Sequence, residues 1–421
     1  MKIAVLSDLF PPYQSGGAEY IAYLFAKEYK NCGHEVFVIT TVQHKNTRRV
    51  EEHAGIKVYS LYTKLPERLR AWGSFYNPQV LPAVRNILTE QKPAVIHAHN
   101  IHNYLSYHCL KVAHDLQVPV VVTMHDAMSF SYGKFFQFID KTDLAQYPQV
   151  SYKPLGFWMT LKANRFRYIP FRNQTIKAYL HKYVRNMVSV STELQKALYA
   201  HGIHCTEVVH NGIDLAAFSA GTEKTAAFRK TYNLNDKSVV LFAGRVSYLK
   251  GGDQVLKAMT SVCKKLNNAV LVIAGKQDGY GEQMKQMAKD SGIEQSVIFT
   301  GWLSREDLTL AYQCSDIVVS PSIYLDNFPT VNLEAMAMRK PVISSCFGGS
   351  KELVFDGMTG YIVNPLNTEM MAERIIELLG DKEKAARMGE AGYQRIADKC
   401  SIQQQGQKML ALLKAAKTNK R

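Results

Sequence analysis

Two cations and two carboxylates in the second half of the chain have types and spacing that could do chemistry. In "AGRVSYLKGG" (243–252), Arg245 and Lys250 each border glycine at the end of an apolar run. A planar guanidinium fork and an ammonium point charge beside a glycine-opened helix start suit a diphosphate, whereas two solvated surface cations are the plainer alternative. In "SIYLDNFPTVNLEAMAMRKPVISS" (322–345), Asp326 lies in a proline-broken loop and Glu334 lies in a helix-like stretch, with seven residues between them. Asn327, Phe328, Pro329 and Thr330 fall where that helix should begin, Pro329 suiting its first turn and the nearby N–H groups facing an anion. Acids this close to a phosphate would repel it. They can instead accept hydrogen bonds from sugar hydroxyls on either side of a diphosphate. A third loop, "PPYQSGGAEY" (11–20), sets Gly16 and Gly17 before a helix starting near Ala18, where bare backbone can approach a phosphate or simply turn. This loop is neither a GxGxxG fingerprint nor a Walker loop, which argues against a nicotinamide cofactor and against ATP hydrolysis.

The elements that must position these loops read as strand, helix, strand, told twice. Short β-branched runs at 2–8, 35–41, 94–99, 119–125 and 186–191 alternate with stretches of helical period, and the series restarts at 238–245, 269–276, 296–301, 316–322 and 341–345. Alternation of this kind indicates α/β architecture, with parallel sheets covered on both faces. The glycine turn in "HNGIDLAAF" (210–218) gives a boundary between an N-terminal domain over 1–212 and a C-terminal domain over 213–399, with a last helix of about 400–421 packing back on the first. Two doubly wound domains facing each other across a cleft would bind ligands in the loops at the carboxyl ends of their strands.

Composition bounds the remaining classes. The 421 residues are 47% apolar and 21% charged, and no apolar run is long enough for a signal peptide or a membrane span, so a cytoplasmic protein is expected. Seven scattered cysteines without a CxxC pair fit neither a disulfide framework nor a zinc ribbon. The formal charge is +15, and residues 144–192 hold eight Lys or Arg with no Asp or Glu. Such a stretch seeks phosphate or an anionic membrane. Nucleic acid is not the expected partner, because no helix-turn-helix, RNP or zinc-finger pattern accompanies the charge. Within the basic stretch, "QTIKAYLHKYVRNM" (174–187) reads as one helix with Ile176, Tyr179, Leu180, Tyr183, Val184 and Met187 on one face. Lys177, His181, Lys182 and Arg185 occupy the other face, and "LGFWMTLKANRFRYIPF" (155–171) interleaves large apolar with basic residues. This surface either meets an anionic leaflet and its lipid-linked acceptor or is a solvated face. In "HAHNIHNYLSYHCLKVAH", His97 and His99 share a strand face, but no cysteine or acid joins them at ligand spacing except Cys109 and Asp115. No metal site is expected there. Those histidines line a cleft beside an acceptor or pack.

The order "SGGAE", "VVTMHD", "HNGID", "GRVSYLKG", "IVVSPS", "DNFPTVNLEAMA" and "GGSKELVFDGMTGYIV" resembles the retaining nucleotide-sugar glycosyltransferases of family four, which have the GT-B architecture. The resemblance spans nearly the whole chain. It implies that Arg245 and Lys250 hold the donor diphosphate, that Glu334 grips the nucleotide ribose, that Asp326 contacts the transferred sugar, and that His125 sits near the reacting centre. It also implies retention through a same-face displacement, with a nucleoside-diphosphate sugar as donor substrate and neither cofactor nor protein-bound metal. Asp326 stands where Glu is commoner, Arg339 where Gly is usual, and no Pro precedes Glu352. The expected activity is hexosyl transfer to a lipid-linked or surface-polysaccharide saccharide, as in lipopolysaccharide or capsule synthesis, by an enzyme peripheral to the inner face of the cell membrane. A nucleotide-sugar epimerase of the same architecture is the alternative.

Overall fold

Runs of valine, isoleucine and leucine with no polar face can be satisfied only in sheets buried on both sides, and the chain builds two. The computed structural model describes all residues except 14–15, 46–49, 67–68, 166–167, 219–220, 277 and 419–421. Contacts divide the chain into two compact units: Met1–Phe135 with Tyr152–Gly212 and Ile402–Arg421, and Phe136–Ser151 with Ile213–Ser401. The division after Gly212 is joined by a second one that the sequence did not mark, since Phe136–Ser151 belongs with the second unit.

The first unit holds β1 (Lys2–Leu6), β2 (Glu35–Val42), β3 (Val50–His53), β4 (Ile56–Tyr62), β5 (Val95–Ala98), β6 (Val120–Met124), β7 (Asn186–Ser189) and β8 (Glu207–Val208). Their order is β3-β4-β2-β1-β5-β6-β7-β8, parallel except for the β3–β4 hairpin. The helix Gly17–Asn31 covers the sheet with Ile21, Leu24 and Phe25, and the helix Ile402–Thr418 packs on it through Met409, Leu410 and Leu413. The two helices approach closely at Gly406, where an added Cβ would lie 2.5 Å from Glu28 Cγ.

The second unit holds β9 (Ser238–Ala243), β10 (Ala269–Ala274), β11 (Val297–Gly301), β12 (Ile317–Ser320), β13 (Val342–Ser345) and β14 (Gly360–Val363) in the order β11-β10-β9-β12-β13-β14. The pairs named among them are all parallel. The chain runs outward from β9 to β10 and β11, then returns to the other side of β9 with β12. Where strand order reverses, the loops leaving the two central strands diverge and open a crevice. Here those loops are the ones after β9 and β12, which carry Arg245, Lys250 and Asp326.

Candidate active site

In the second unit, β9 leads into Gly244 and Arg245, then into a short helix, Tyr248–Lys250, ending on Gly251. Gly251 has φ +87°, and a Cβ there would fall 2.0 Å from the Pro321 carbonyl oxygen, so only glycine lets the loop after β9 lie against the loop after β12. That close approach puts Lys250 Nζ 2.8 Å from Asp326 Oδ2, which also accepts from Ser322 Oγ at 2.7 Å. Lys250 Nζ further lies 5.3 Å from the ring centre of Tyr324. Burial works against the Lys250 charge, but Asp326 and Tyr324 outweigh it and hold the ammonium above its ordinary range. An ammonium has three donors; with Asp326 and Tyr324 as partners, one is left for a ligand oxygen. Arg245 is exposed and, among the described residues, pairs with no acid.

The loop Leu325–Pro329 is fixed from behind. Asp326 forms a parallel bridge with Gly348, and Gly349 N–H donates to the Asp326 carbonyl at 2.8 Å. Gly348 has φ +97°, with its Cβ direction blocked by Asp326 backbone. Below it, Asn332 is fully buried: Oδ1 accepts from Ser320 Oγ at 2.6 Å, and Nδ2 donates to Ser344 Oγ at 2.9 Å. This network ties β12, β13 and the helix Thr330–Ala337 into one rigid seat.

That helix starts one residue later than its proline suggested. Pro329 is the flanking residue, with φ −67° and ψ 122°, and the first helical residue is Thr330. Pro329 has no N–H, and Asn332 N–H already bonds the Pro329 carbonyl at 3.2 Å, so any anion at this end meets the N–H groups of Thr330 and Val331. Glu334 is half-buried in the same helix and accepts from Tyr312 OH at 2.8 Å. Burial raises its pKa, against the opposing charge of Arg305 and the Tyr312 hydrogen bond.

In the first unit, His125 follows β6, and His99 follows β5. His99 Nδ1 and His125 Nε2 are 2.8 Å apart with their rings stacked. His97 bridges Tyr29 OH and Thr123 Oγ1, each at 2.8 Å. Burial, with a lesser contribution from His125, lowers the His97 pKa to about 3, and burial lowers that of His125 to about 4. These are neutral imidazoles near pH 7, able to donate or accept one hydrogen bond at each nitrogen. Asp8, at the carboxyl end of β1, accepts from the N–H groups of Asn103, Tyr104 and Leu105 at 2.6, 2.9 and 2.8 Å and so shapes the loop after His99. Among the described residues, no group of three His, Cys, Asp or Glu could hold a metal ion.

Gly16 immediately precedes the helix Gly17–Asn31, and an added Cβ at Gly16 would come 2.7 Å from the Glu19 carboxylate, so an acid already faces this helix start. Lys177 and Lys182 lie on the helix Arg172–Tyr183. The expected extension of that helix to Met187 does not form. Val184 is extended (φ −103°, ψ 135°), Arg185 N–H bonds the Val120 carbonyl at 2.8 Å, and Met187 is in β7. Arg185 thus belongs to the lead into a strand, where a β-branched neighbour fits well. Lys250 and Asp326 meet in the second unit, which also holds Arg245, Asn327–Thr330 and Glu334, while Gly16, Gly17, His125, Lys177, Lys182 and Arg185 lie in the first. Sequence reasoning passed over Tyr312, Ser322 and Tyr324, although Ser322 and Tyr324 closely precede Asp326 in one short loop.

Residues 15–217 match the profile of Glycosyltransferase Family 4, and residues 223–395 match that of Glycosyl transferases group 1. Together the two profiles span most of the chain and support a glycosyltransferase of group 1. An uncharacterized glycosyltransferase of Methanocaldococcus jannaschii is 26% identical over 388 residues, covering 90% of each chain. A GDP-mannose-dependent alpha-(1-6)-phosphatidylinositol monomannoside mannosyltransferase of Mycolicibacterium smegmatis is 29% identical over 208 residues, covering 48% of this chain and 54% of that one. Among solved structures, Anabaena HepE in complex with UDP and glucose superposes with a TM-score of 0.71 at 19% identity, covering 99% of this glycosyltransferase and all of HepE. The fold is GT-B, with two Rossmann-like domains.

Proposed function

We propose that this glycosyltransferase takes a sugar from a nucleoside-diphosphate sugar and transfers it, with retention and without a protein-bound metal or cofactor, to a lipid-linked or surface-polysaccharide saccharide. One observation carries the donor assignment: Lys250 and Asp326 meet at 2.8 Å where the loops after β9 and β12 converge, with Arg245 free of acidic partners among the described residues. A cation held against a carboxylate has a directed donor left for a phosphate oxygen, and the exposed guanidinium adds a planar second grip. Glu334 takes ribose hydroxyls, and Asp326, beside Lys250, lies next to the sugar. The C1–phosphate bond breaks as the acceptor oxygen joins C1 on the same face, and the acceptor proton leaves with the diphosphate. The fixed positive groups stabilise the charge that grows on the departing diphosphate. HepE holding UDP and glucose, and the GDP-mannose dependence of the mycobacterial relative, support the donor class while differing in the base.

The acceptor reading rests on the first unit. The helix Phe157–Asn164 has no buried residue, and Phe157, Trp158, Met159 and Phe171 are 57, 77, 59 and 74% exposed. Beside them a cavity of about 320 Å³ is lined by Tyr132, Leu155, Phe157, Phe171 and Lys177, among others. Exposed aromatics amid basic residues suit the interfacial zone of an anionic leaflet on the cytoplasmic side, where a glycolipid acceptor would be met. The mycobacterial relative's phosphatidylinositol monomannoside is an acceptor of this class.

The test supplies UDP-, GDP- and ADP-linked hexoses in turn with anionic vesicles containing glycolipid, and follows nucleoside diphosphate release and label entering the lipid. One donor class should label lipid in the wild type and not in Lys250→Ala. Conversion of a nucleotide sugar to its epimer with no acceptor present would instead establish the epimerase reading.

A further inference from the structure

The stretch Phe136–Ser151 is flanked in sequence by segments of the first unit, yet its contacts place it in the second. It is pinned through its main chain. Asn364, fully buried after β14, donates from Nδ2 to the carbonyls of Asp143 at 2.9 Å and Ala145 at 2.8 Å. Gln146 Nε2 reaches the Ile362 carbonyl at 2.7 Å and Asp356 Oδ2 at 3.0 Å. The turn is also closed on itself, because Asp140 Oδ1 accepts from Thr142 N–H at 2.9 Å and Asp143 Oδ1 from Ala145 N–H at 2.9 Å. A buried side chain that spends both its donors on one loop's carbonyls specifies where that loop lies.

Two side chains of this strap meet the loops that frame the donor site. The ring of Phe138 stands edge-on to that of Phe347, with centroids 6.1 Å apart, and Phe347 directly precedes the Gly348 that bridges Asp326. Lys141 Nζ stands 5.9 Å from the ring centre of Tyr248, in the short helix that ends on Lys250. Lys141 is exposed and, among the described residues, has no acidic partner.

We propose that Lys141 is a third cation of the donor-diphosphate site, delivered to the second unit by the strap Phe136–Ser151. This rests on the donor assignment made above. Lys250 is partly neutralised by Asp326, so a diphosphate here would still meet uncompensated negative charge unless another cation stood near. An exposed ammonium on a pinned loop supplies that charge with little desolvation cost, through a field that salt screens.

The test measures affinity for UDP, GDP and ADP by calorimetry in wild type, Lys141→Ala, Lys141→Glu and Lys141→Arg, at low and moderate salt, with the parent nucleosides as uncharged controls. For the diphosphate that binds best, affinity should fall about threefold in Lys141→Ala and about tenfold or more in Lys141→Glu, and stay near wild type in Lys141→Arg. The penalty should shrink with salt, and nucleoside binding should not change. Because Lys141 is exposed, thermal unfolding should be the same in all four proteins. Wild-type affinity for a diphosphate that Lys141→Glu matches would overturn this inference alone. Failure of the wild type to bind any nucleoside diphosphate would overturn the donor site and the inference with it.

Discussion

Lys250 and Asp326 form the chemical centre of the account, and the structure joins two roles that the sequence kept apart. From spacing and resemblance, Lys250 belongs to the diphosphate and Asp326 to the sugar; in the folded unit Asp326 Oδ2 is 2.8 Å from Lys250 Nζ, with side chains only 22% and 11% exposed for Lys250 and Asp326. The acid therefore also positions the cation. Arg245→Ala and Lys250→Ala should each lower kcat/KM by about thirty- to a thousandfold, corresponding to roughly 2 to 4 kcal/mol of barrier, while the protein stays folded. Asp326→Asn should weaken binding of the free nucleoside diphosphate as well as transfer, because it leaves a buried ammonium without its counter-charge. Calorimetry on the Asp326→Asn protein that found diphosphate affinity unchanged would remove the positioning role. Glu334→Gln should weaken nucleotide and donor binding alike, since the ribose is common to both.

Elements placed by hydrophobic pattern were the legible part of this chain. The ten runs expected as strands are strands, because parallel strands buried on both faces leave β-branched runs that helices do not imitate. The carboxyl ends of β9 and β12, where the candidate site residues were expected, were therefore readable. What could not be read depends on contacts distant in sequence. The β3–β4 hairpin turns at Ala54 and Gly55, with φ 50° and 72°, where an alanine hides the usual asparagine–glycine signal. Arg339 replaces a usual glycine and does adopt φ 52°; its guanidinium lies 3.7 Å from the Tyr393 ring centre and its Nε 2.7 Å from Glu390, contacts that offset the left-handed backbone. The allegiance of Phe136–Ser151 is set by Asn364, more than two hundred residues away. The basic stretch was read as an amphipathic helix to Met187, but the exposed apolar side chains lie earlier, on Phe157–Asn164. Sedimentation with phosphatidylglycerol vesicles, and not with phosphatidylcholine vesicles, should accordingly be lost more completely in a Phe157→Ser, Trp158→Ser, Phe171→Ser variant than in Lys177→Glu, Lys182→Glu. Both variants should keep nucleotide binding, because neither alters the second unit. Binding indifferent to lipid charge, or untouched by the aromatic changes, would return this face to a solvated surface.

At the scale of the molecule, two units divide the labour expected of a glycosyltransferase. The second carries Arg245, Lys250, Asp326 and Glu334, proposed above to hold the donor; the first carries the buried histidines and the basic, aromatic surface. No helix among the described residues is long and apolar enough to cross a membrane. Much of the +15 formal charge falls in residues 144–192, which hold eight Lys or Arg and no Asp or Glu, a stretch suited to phosphate. The most direct measurement is a thermal-unfolding screen of the wild type and Lys250→Ala against UDP-, GDP- and ADP-sugars, because a ligand bound only to the native state raises its melting temperature. One nucleotide class should raise the wild-type Tm, by an amount that grows with ligand concentration, and should leave Lys250→Ala almost unmoved. A wild-type Tm indifferent to all three classes, or an equal rise in Lys250→Ala, would contradict the assignment of the second unit as the donor site.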